Sequence, residues 1–210
     1  YGVSLYQNNY TLPAGFILQD GQYLSSSDFS EETSDPFEVQ NQMAASVSTS
    51  DPLFVPIESE ESGNQAFFDV YTEGHYYAYC KSSKIDTVSI SSASVNKTYK
   101  KVKYDYILDL GRHHVTLTND GDSVLNAVVV RLDEAVLSRT LQTLSEQPFT
   151  VDSYDSSHVT GHVDVTKAGR LILSIANEPG WTMKVDGEAA DYDVYDGVFL
   201  SVPLTEGSHT

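Results

Sequence analysis

The sequence predicts an all-β protein: two β-sandwich, jelly-roll-like units joined by a short helix, after an extended N-terminal segment that carries a short helix of its own. Short runs of strand-forming residues recur along the chain, and turn residues separate them about every 8–12 residues, a pattern typical of sandwiches and barrels. Helical spacing of apolar residues appears only once beyond the N-terminal segment. We therefore divide the chain into an N-terminal segment, a first sandwich, a linking helix and a second, smaller sandwich, at residues 1–50, 51–132, 133–147 and 148–210.

The N-terminal segment is predicted to form short extended pieces followed by one helix. A turn is expected at Asp20-Gly21, because both residue types favour turns. Asp35 can cap a helix, Pro36 suits its first position, and Glu38 completes a capping box. We expect this helix over about residues 36–46.

A change in the spacing of the apolar residues along the sequence predicts the first sandwich and then the linking helix. Aromatic and β-branched runs such as "QAFFDVYTEGHYYAYC" and "VLNAVVVRL" predict strands. Leu137, Leu141 and Leu144 then lie at positions i, i+4 and i+7, which is the spacing of one helix face, and Pro148 ends that pattern.

The second sandwich contains the most specific local signal, the segment "WTMKVDG". Asp186-Gly187 suits a two-residue hairpin turn, because both residues tolerate positive φ. On the preceding strand Trp181, Met183 and Val185 share one face, and residues 182 and 184 share the other. The alternation predicts that Trp181, the sole tryptophan, packs inward at the centre of the sandwich.

Composition excludes several classes of partner. The chain has 210 residues and a formal net charge of −18, so its surface repels the phosphates of nucleic acid and disfavours anionic lipid headgroups. The single cysteine, Cys80, has no internal disulfide partner and is expected to be a small buried apolar residue; the alternative, a reactive thiol, stays open. No apolar run approaches the roughly 20 residues of a membrane helix.

The motifs predict neither a catalytic residue nor a cofactor or metal site. His113 and His114 are adjacent and would point to opposite faces of a strand, and His158 and His162 would lie about 13 Å apart on one. The acidic loop at Asp191–Asp196 lacks the fifth and twelfth ligands of an EF-hand, so an acidic turn is favoured there, and a calcium site of another geometry stays open. No nucleophile elbow or phosphate-binding glycine loop is present.

Tyrosine is unusually frequent, with fourteen copies. In "HYYAYC" the side chains of His75, Tyr77 and Tyr79 share one strand face and could form an aromatic platform for a sugar. The alternative is that tyrosine occurs there because it favours strands and its hydroxyl can reach water. We predict His75, Tyr77 and Tyr79 as candidate substrate-binding residues.

Four stretches, in order, resemble the YfhO-like bacterial membrane proteins. They are "LYQNNYTLPAGFIL" at 5–18, "DPFEVQNQM" at 35–43, "GRLILSIANEPGWTMKVDGE" at 169–188 and "VFLSVPLTEGSHT" at 198–210. The sequence departs from the family pattern at residues 176–178, where a Pro-Tyr pair is more frequent.

The resemblance implies that the whole protein is a multi-pass membrane protein similar to glycosyltransferases that use lipid-linked sugars. This chain would then be its non-catalytic, extracytoplasmic region near the C-terminus, on the outer face of the bacterial cell membrane. Its expected partners are its own membrane-embedded region and a cell-envelope glycopolymer such as a teichoic acid. No catalytic residue is carried over, because the family's expected catalytic base lies in a loop between membrane helices.

Two other functions are compatible with the sequence. One is a stand-alone carbohydrate-binding or adhesive surface module, which would lack flanking membrane helices. The other is a soluble hydrolase of sugars, which would turn over a polysaccharide and lose activity on substitution of one carboxylate.

Overall fold

A computed structural model describes residues 5, 7–24, 35–68, 73–80, 87–91, 96–100, 106–111, 115–119 and 127–210, with backbone alone at 80, 87–88, 99–100 and 106–111. In this part of the chain strands β1 to β18 form antiparallel sheets, accompanied by two helices. The predicted all-β class is confirmed. The jelly-roll-like connectivity and the division at residues 51, 133 and 148 stay predictions.

The chain separates into two compact units. Unit 1 comprises Tyr1–Glu32, Gln42–Asp51 and Ala135–Thr210, and unit 2 comprises Thr33–Asn41 and Pro52–Glu134. Helix α1, at Pro36–Val47, provides residues to both units, and helix α2 spans Glu134–Leu144.

Unit 2 contains two sheets that share one core. The first sheet has the order β2 (Phe54–Pro56), β10 (Ala127–Leu132), β5 (Tyr76–Cys80), β8 (Tyr106–Gly111). The second has the order β3 (Glu60–Ser62), β4 (Gln65–Phe68), β9 (Val115–Asn119), β6 (Thr87–Ser91), β7 (Asn96–Lys100). Side chains from both sheets form one buried cluster, which comprises Ala66, Phe68, Tyr76, Ala78, Ile90, Val115, Leu117, Ala127 and Val129.

Helix α1 begins with the cap that the sequence predicts. The Asp35 carboxylate accepts the N–H of Phe37 at 2.9 Å, which satisfies a helix donor that would otherwise lack a partner. One turn later the amide of Asn41 holds Phe54 at both backbone groups, accepting its N–H at 2.7 Å and donating to its carbonyl at 3.1 Å. This pair of bonds fixes the start of β2.

Unit 1 is built around the C-terminal strands. Its main sheet has the order β1 (Gly15–Gln19), β13 (Gly169–Ala176), β17 (Phe199–Leu204), β16 (Asp193–Tyr195). A second sheet has the order β11 (Thr150–Tyr154), β12 (Val159–Val165), β18 (Gly207–His209). The hairpin β14 (Met183–Val185) and β15 (Glu188–Ala190) forms a two-stranded sheet by itself.

The main sheet of unit 1 is buried on both faces, which explains its continuous apolar runs. On one face Phe16, Leu18 and Ile172 pack with Val47 and Leu144. The opposite face carries a second cluster that belongs to the candidate site described below. Strand β1 belongs to this sheet through its pairing with β13, in which Phe16 is opposite Ile172.

Helix α2 presents a narrow apolar stripe to unit 1. Val136, Thr140 and Leu144 are its buried residues, whereas Leu137 and Leu141 are half-buried beside them. The stripe therefore begins one residue earlier than the leucine spacing suggests. Thr140 is tolerated inside because its hydroxyl bonds to the Val136 carbonyl at 2.9 Å.

Candidate functional site: an apolar cleft in unit 1

A cleft of about 580 Å³ lies between the strands of unit 1. We call it the cleft throughout. Its floor consists of alternate residues of three strands, which point to the same side because the side-chain period of a strand is two. These floor residues are all aliphatic and buried: Val163 of β12, Leu171 and Leu173 of β13, and Leu200, Val202 and Leu204 of β17.

The β14–β15 hairpin region forms one wall of the cleft. Trp181, Met183 and Val185 are half-buried there and pack against the floor, while residues 182 and 184 are exposed. The predicted alternation is therefore correct. The predicted position of Trp181 at the centre of the core is wrong, because the tryptophan precedes β14 and lines an open space rather than a closed one.

Phe149 closes another part of the cleft by packing on Gly161. A Cβ added at Gly161 would lie 2.4 Å from the Phe149 ring and 2.3 Å from the Thr150 carbonyl oxygen. No side chain larger than hydrogen fits at that position. The glycine therefore lets the aromatic ring lie directly on strand β12 and complete the apolar lining.

Polar residues mark the opening of the cleft to solvent. They comprise His158, His209 and Thr210, of which His209 is half-buried and the others are exposed; Thr160, Thr182 and Lys184 also contribute to the lining, but their side chains lie on the outward faces of their strands. Asp152 interrupts the pairing of β11 with β12 as a bulge and contacts His162 Nδ1 at 2.9 Å. The cleft thus combines an aliphatic floor with hydrogen-bonding groups at its mouth, as small-molecule sites commonly do.

Asp186 ties the hairpin turn to the last strand of unit 1. Its carboxylate accepts the backbone N–H of Thr210 at 2.9 Å and contacts His209 Nδ1 at 2.9 Å. Those two hydrogen bonds hold the pKa of Asp186 below its ordinary value.

His209 contacts a hydrogen-bond acceptor at each ring nitrogen. Nδ1 faces the Asp186 carboxylate, and Nε2 lies 3.0 Å from the carbonyl oxygen of Thr205. Only the protonated imidazole can donate to both acceptors, so the two contacts raise the pKa of His209 above its ordinary value. The side chain is 13% exposed, and it fixes one edge of the cleft mouth.

A tight turn at residues 155–158 places a serine, a histidine and an aspartate together beside the cleft. The Asp155 carboxylate accepts the backbone N–H groups of Ser157 and His158 at 2.7 and 2.8 Å. These bonds, with a further one from the Ser157 hydroxyl, lower the pKa of Asp155 to about 2. The carboxylate therefore stabilises the turn as an anion.

This constellation is not arranged for nucleophilic catalysis. The Ser157 hydroxyl and the Asp155 carboxylate both approach Nδ1 of His158, at 2.8 and 3.4 Å. A catalytic triad requires the serine and the aspartate at opposite nitrogens of the histidine ring. One nitrogen then takes up the serine proton while the N–H of the other is held by the aspartate.

The acidic loop at Asp191–Asp196, for which an acidic turn is predicted, contains a salt bridge and a turn. Asp193 pairs with Arg170 at 2.5 Å, and Asp196 adopts positive φ in the turn with Gly197. Among the described residues no group of three or more His, Cys, Asp or Glu side chains could hold a metal ion. His113 and His114 lie outside the described residues, as does the side chain of Cys80.

The predicted platform of His75, Tyr77 and Tyr79 lies in unit 2, on and beside strand β5. Tyr76 and Ala78 are in the core, as the alternation predicts. On the other face, however, Tyr79 is only 7% exposed, and the half-buried Tyr77 makes an edge-to-face contact with Phe54.

His75 has a 42% exposed side chain and lies 3.6 Å from Glu134. Exposed ring area for sugar stacking is therefore limited to His75 and part of Tyr77. The binding role of these three residues stays a prediction.

The sequence alone does not reveal the cleft. Its floor residues have the pattern of ordinary core positions, because alternation shows which side chains share a face but not how far apart two faces are. The signal available was the sequence "WTMKVDG", in which a tryptophan precedes a short strand with apolar residues on one face, next to a turn.

Comparison with known proteins decides the family. The model of the family described as bacterial membrane protein YfhO matches residues 57–210, which is most of the chain. The chain belongs to the YfhO family. The matched region includes the whole cleft.

Other comparisons add no relative to this YfhO-family chain. No curated protein matches it, and no solved structure does. Within the described residues, neither helix has the length and apolarity needed to span a bilayer. The family match confirms the resemblance to YfhO-like proteins; the stretches at 169–188 and 198–210 lie within the matched residues, and those at 5–18 and 35–43 precede them.

Proposed function

We propose that this chain is a non-catalytic, extracytoplasmic domain of a YfhO-family membrane protein that binds a cell-envelope glycopolymer and positions it for the membrane-embedded region. The observation that carries the proposal is the cleft, which joins an aliphatic floor and a tryptophan wall to a polar mouth. The family's membrane association supports a membrane-anchored domain over a stand-alone adhesive module.

The chemistry of the cleft suits a sugar ligand. A pyranose has an apolar face that can stack on an aromatic ring, and Trp181 offers a half-buried ring beside the opening. His158 and Thr210 are exposed at the mouth and can exchange hydrogen bonds with sugar hydroxyls.

The net charge of the chain indicates which part of the polymer it recognises. With a net charge of −18 the chain repels polymer phosphates. The ligand is therefore an uncharged sugar residue of the polymer rather than its anionic backbone. In this proposal any glycosyl transfer takes place in the membrane-embedded region, and the domain supplies binding alone.

The proposal is tested by titrating neutral sugars and glycopolymer fragments into the chain. Trp181 is the sole tryptophan, so its fluorescence reports directly on the cleft wall. We expect a saturable fluorescence change with dissociation constants in the millimolar to micromolar range. Trp181→Ala should abolish binding when it is measured by calorimetry.

Tyr77→Ala serves as the matched control, because it removes a half-buried aromatic ring from unit 2. We expect it to leave the affinity unchanged. Loss of binding in Tyr77→Ala with retention in Trp181→Ala would transfer the site to the face of His75 and Tyr77. Absence of binding to any sugar at millimolar concentration would contradict the proposal.

A further inference from the structure

We infer that the cleft binds an acylated sugar, with the acyl chain on the aliphatic floor and the sugar ring at the mouth. This inference rests on the proposed function and specifies its ligand class. It follows from where the cleft has hydrogen-bonding groups and where it has none.

The floor offers a buried ligand no hydrogen bonds. Its six side chains are leucine or valine, with exposed fractions between 2% and 8%. The backbone of β13 is paired to β1 from Gly169 to Leu173 and to β17 from Gly169 to Ile172, so the amide groups around Leu171 already have partners. A sugar hydroxyl placed on this floor would lose its bonds to water without replacement, which weakens binding about tenfold or more for each hydroxyl.

The size of the cleft, about 580 Å³, suits a small molecule. Small-molecule sites typically measure about 300–1,000 Å³. Water that contacts the aliphatic floor has few polar partners there. An apolar group is therefore the part of the ligand that enters.

The mouth sets the chemistry of the rest of the ligand. His158, His209 and Thr210 line the opening, so the group that stays there is polar and carries hydroxyls or amides. The excess of acidic residues in the chain disfavours an anionic headgroup. A neutral sugar that carries an N-acyl or O-acyl chain meets both conditions.

The test uses a series of N-acyl glucosamines with acetyl, butanoyl, hexanoyl and octanoyl chains. The series keeps the sugar constant and lengthens the apolar part by two methylenes a step. We expect the affinity to rise about three- to fourfold for each methylene buried, until the chain fills the floor. Binding is followed by Trp181 fluorescence and by calorimetry on the 210-residue chain.

A matched pair of variants locates the acyl chain. Ile175→Trp fills the cleft from its lining and should flatten the dependence of affinity on chain length. Val194→Trp adds the same ring at a 39% exposed position of the same sheet outside the cleft lining, and should leave the series as in the unmodified chain.

Two results separate this inference from the proposed function. If N-acetylglucosamine binds and the affinity does not rise with chain length, the acyl inference is wrong and sugar recognition stands. If acyl amides without a sugar ring bind as tightly as the matched glucosamines, sugar recognition is wrong, and the inference fails with it. Absence of binding throughout the series also overturns the inference.

Discussion

Replacing Trp181 by alanine tests whether this residue belongs to the closed core or to the wall of the cleft. Deleting a fully buried large aromatic side chain costs about 3–5 kcal/mol. Trp181 is half-buried and packs on the floor cluster from one side. Trp181→Ala is therefore expected to lower the free energy of unfolding of unit 1 by about half of that cost, ~1.5–2.5 kcal/mol. For a chain of this size this corresponds to a melting temperature lower by about 3–10 °C.

Two variants of unit 1 bracket the expected value. Leu200 is 3% exposed and lies on the cleft floor, so Leu200→Ala should cost about 2–5 kcal/mol. Tyr154 of strand β11 is 81% exposed, so Tyr154→Ala should cost less than about 1 kcal/mol. Urea denaturation followed by circular dichroism and by the NMR signals of unit 1 measures all three. A cost for Trp181→Ala above about 3 kcal/mol, the range of a fully buried aromatic, would refute the cleft-wall assignment.

Three further variants probe the contacts around the cleft and in unit 2. Asp186→Asn keeps a turn-forming residue but removes the anion beside His209, so the pKa of His209 measured by NMR titration should fall. In the unmodified chain folding raises the pKa of His209. The protonated imidazole therefore stabilises the fold fully below about pH 6.5, and this contribution is lost as the pH rises through the raised pKa. A free energy of unfolding that increases over that pH range would contradict this. Gly161→Ala should destabilise unit 1 by about 1–3 kcal/mol through overpacking against the Phe149 ring and the Thr150 carbonyl oxygen, and unchanged thermal stability would contradict this close packing. Asn41→Ala should cost about 1–3 kcal/mol, because both backbone groups of Phe54 lose their partner; rapid hydrogen exchange at the Phe54 amide is the expected readout, and retained protection would argue against it.

Local chemistry determines the elements that sequence analysis predicts well. The cap at Asp35 and the hairpin turn at Asp186-Gly187 depend on residues within a few positions of each other. Asp186 and Gly187 adopt φ of 55° and 86°, as a two-residue turn with positive φ at both positions requires. The alternation that places Trp181 on the inner face is equally local.

Long-range pairing explains the features that sequence analysis does not find. Strand β1 pairs with β13, more than 150 residues later, and no residue of "GFILQ" indicates that partner. Tyr79 shares a strand face with His75 as predicted, but its burial depends on neighbouring elements that the alternation does not identify. The cleft has the same origin, because its volume depends on the distance between strands that are far apart in the sequence.

Mapping a bound sugar on the isotope-labelled chain tests the central claim most directly. In two-dimensional NMR spectra recorded during titration with an N-acyl glucosamine, we predict shifts confined to residues 181–190, to strands β12, β13, β17 and β18 and to their cleft-lining neighbours Phe149, His158 and Thr210. Signals of strand β5 in unit 2 should stay unchanged. Shifts centred on Tyr77, or no shifts at saturating ligand, would contradict the account.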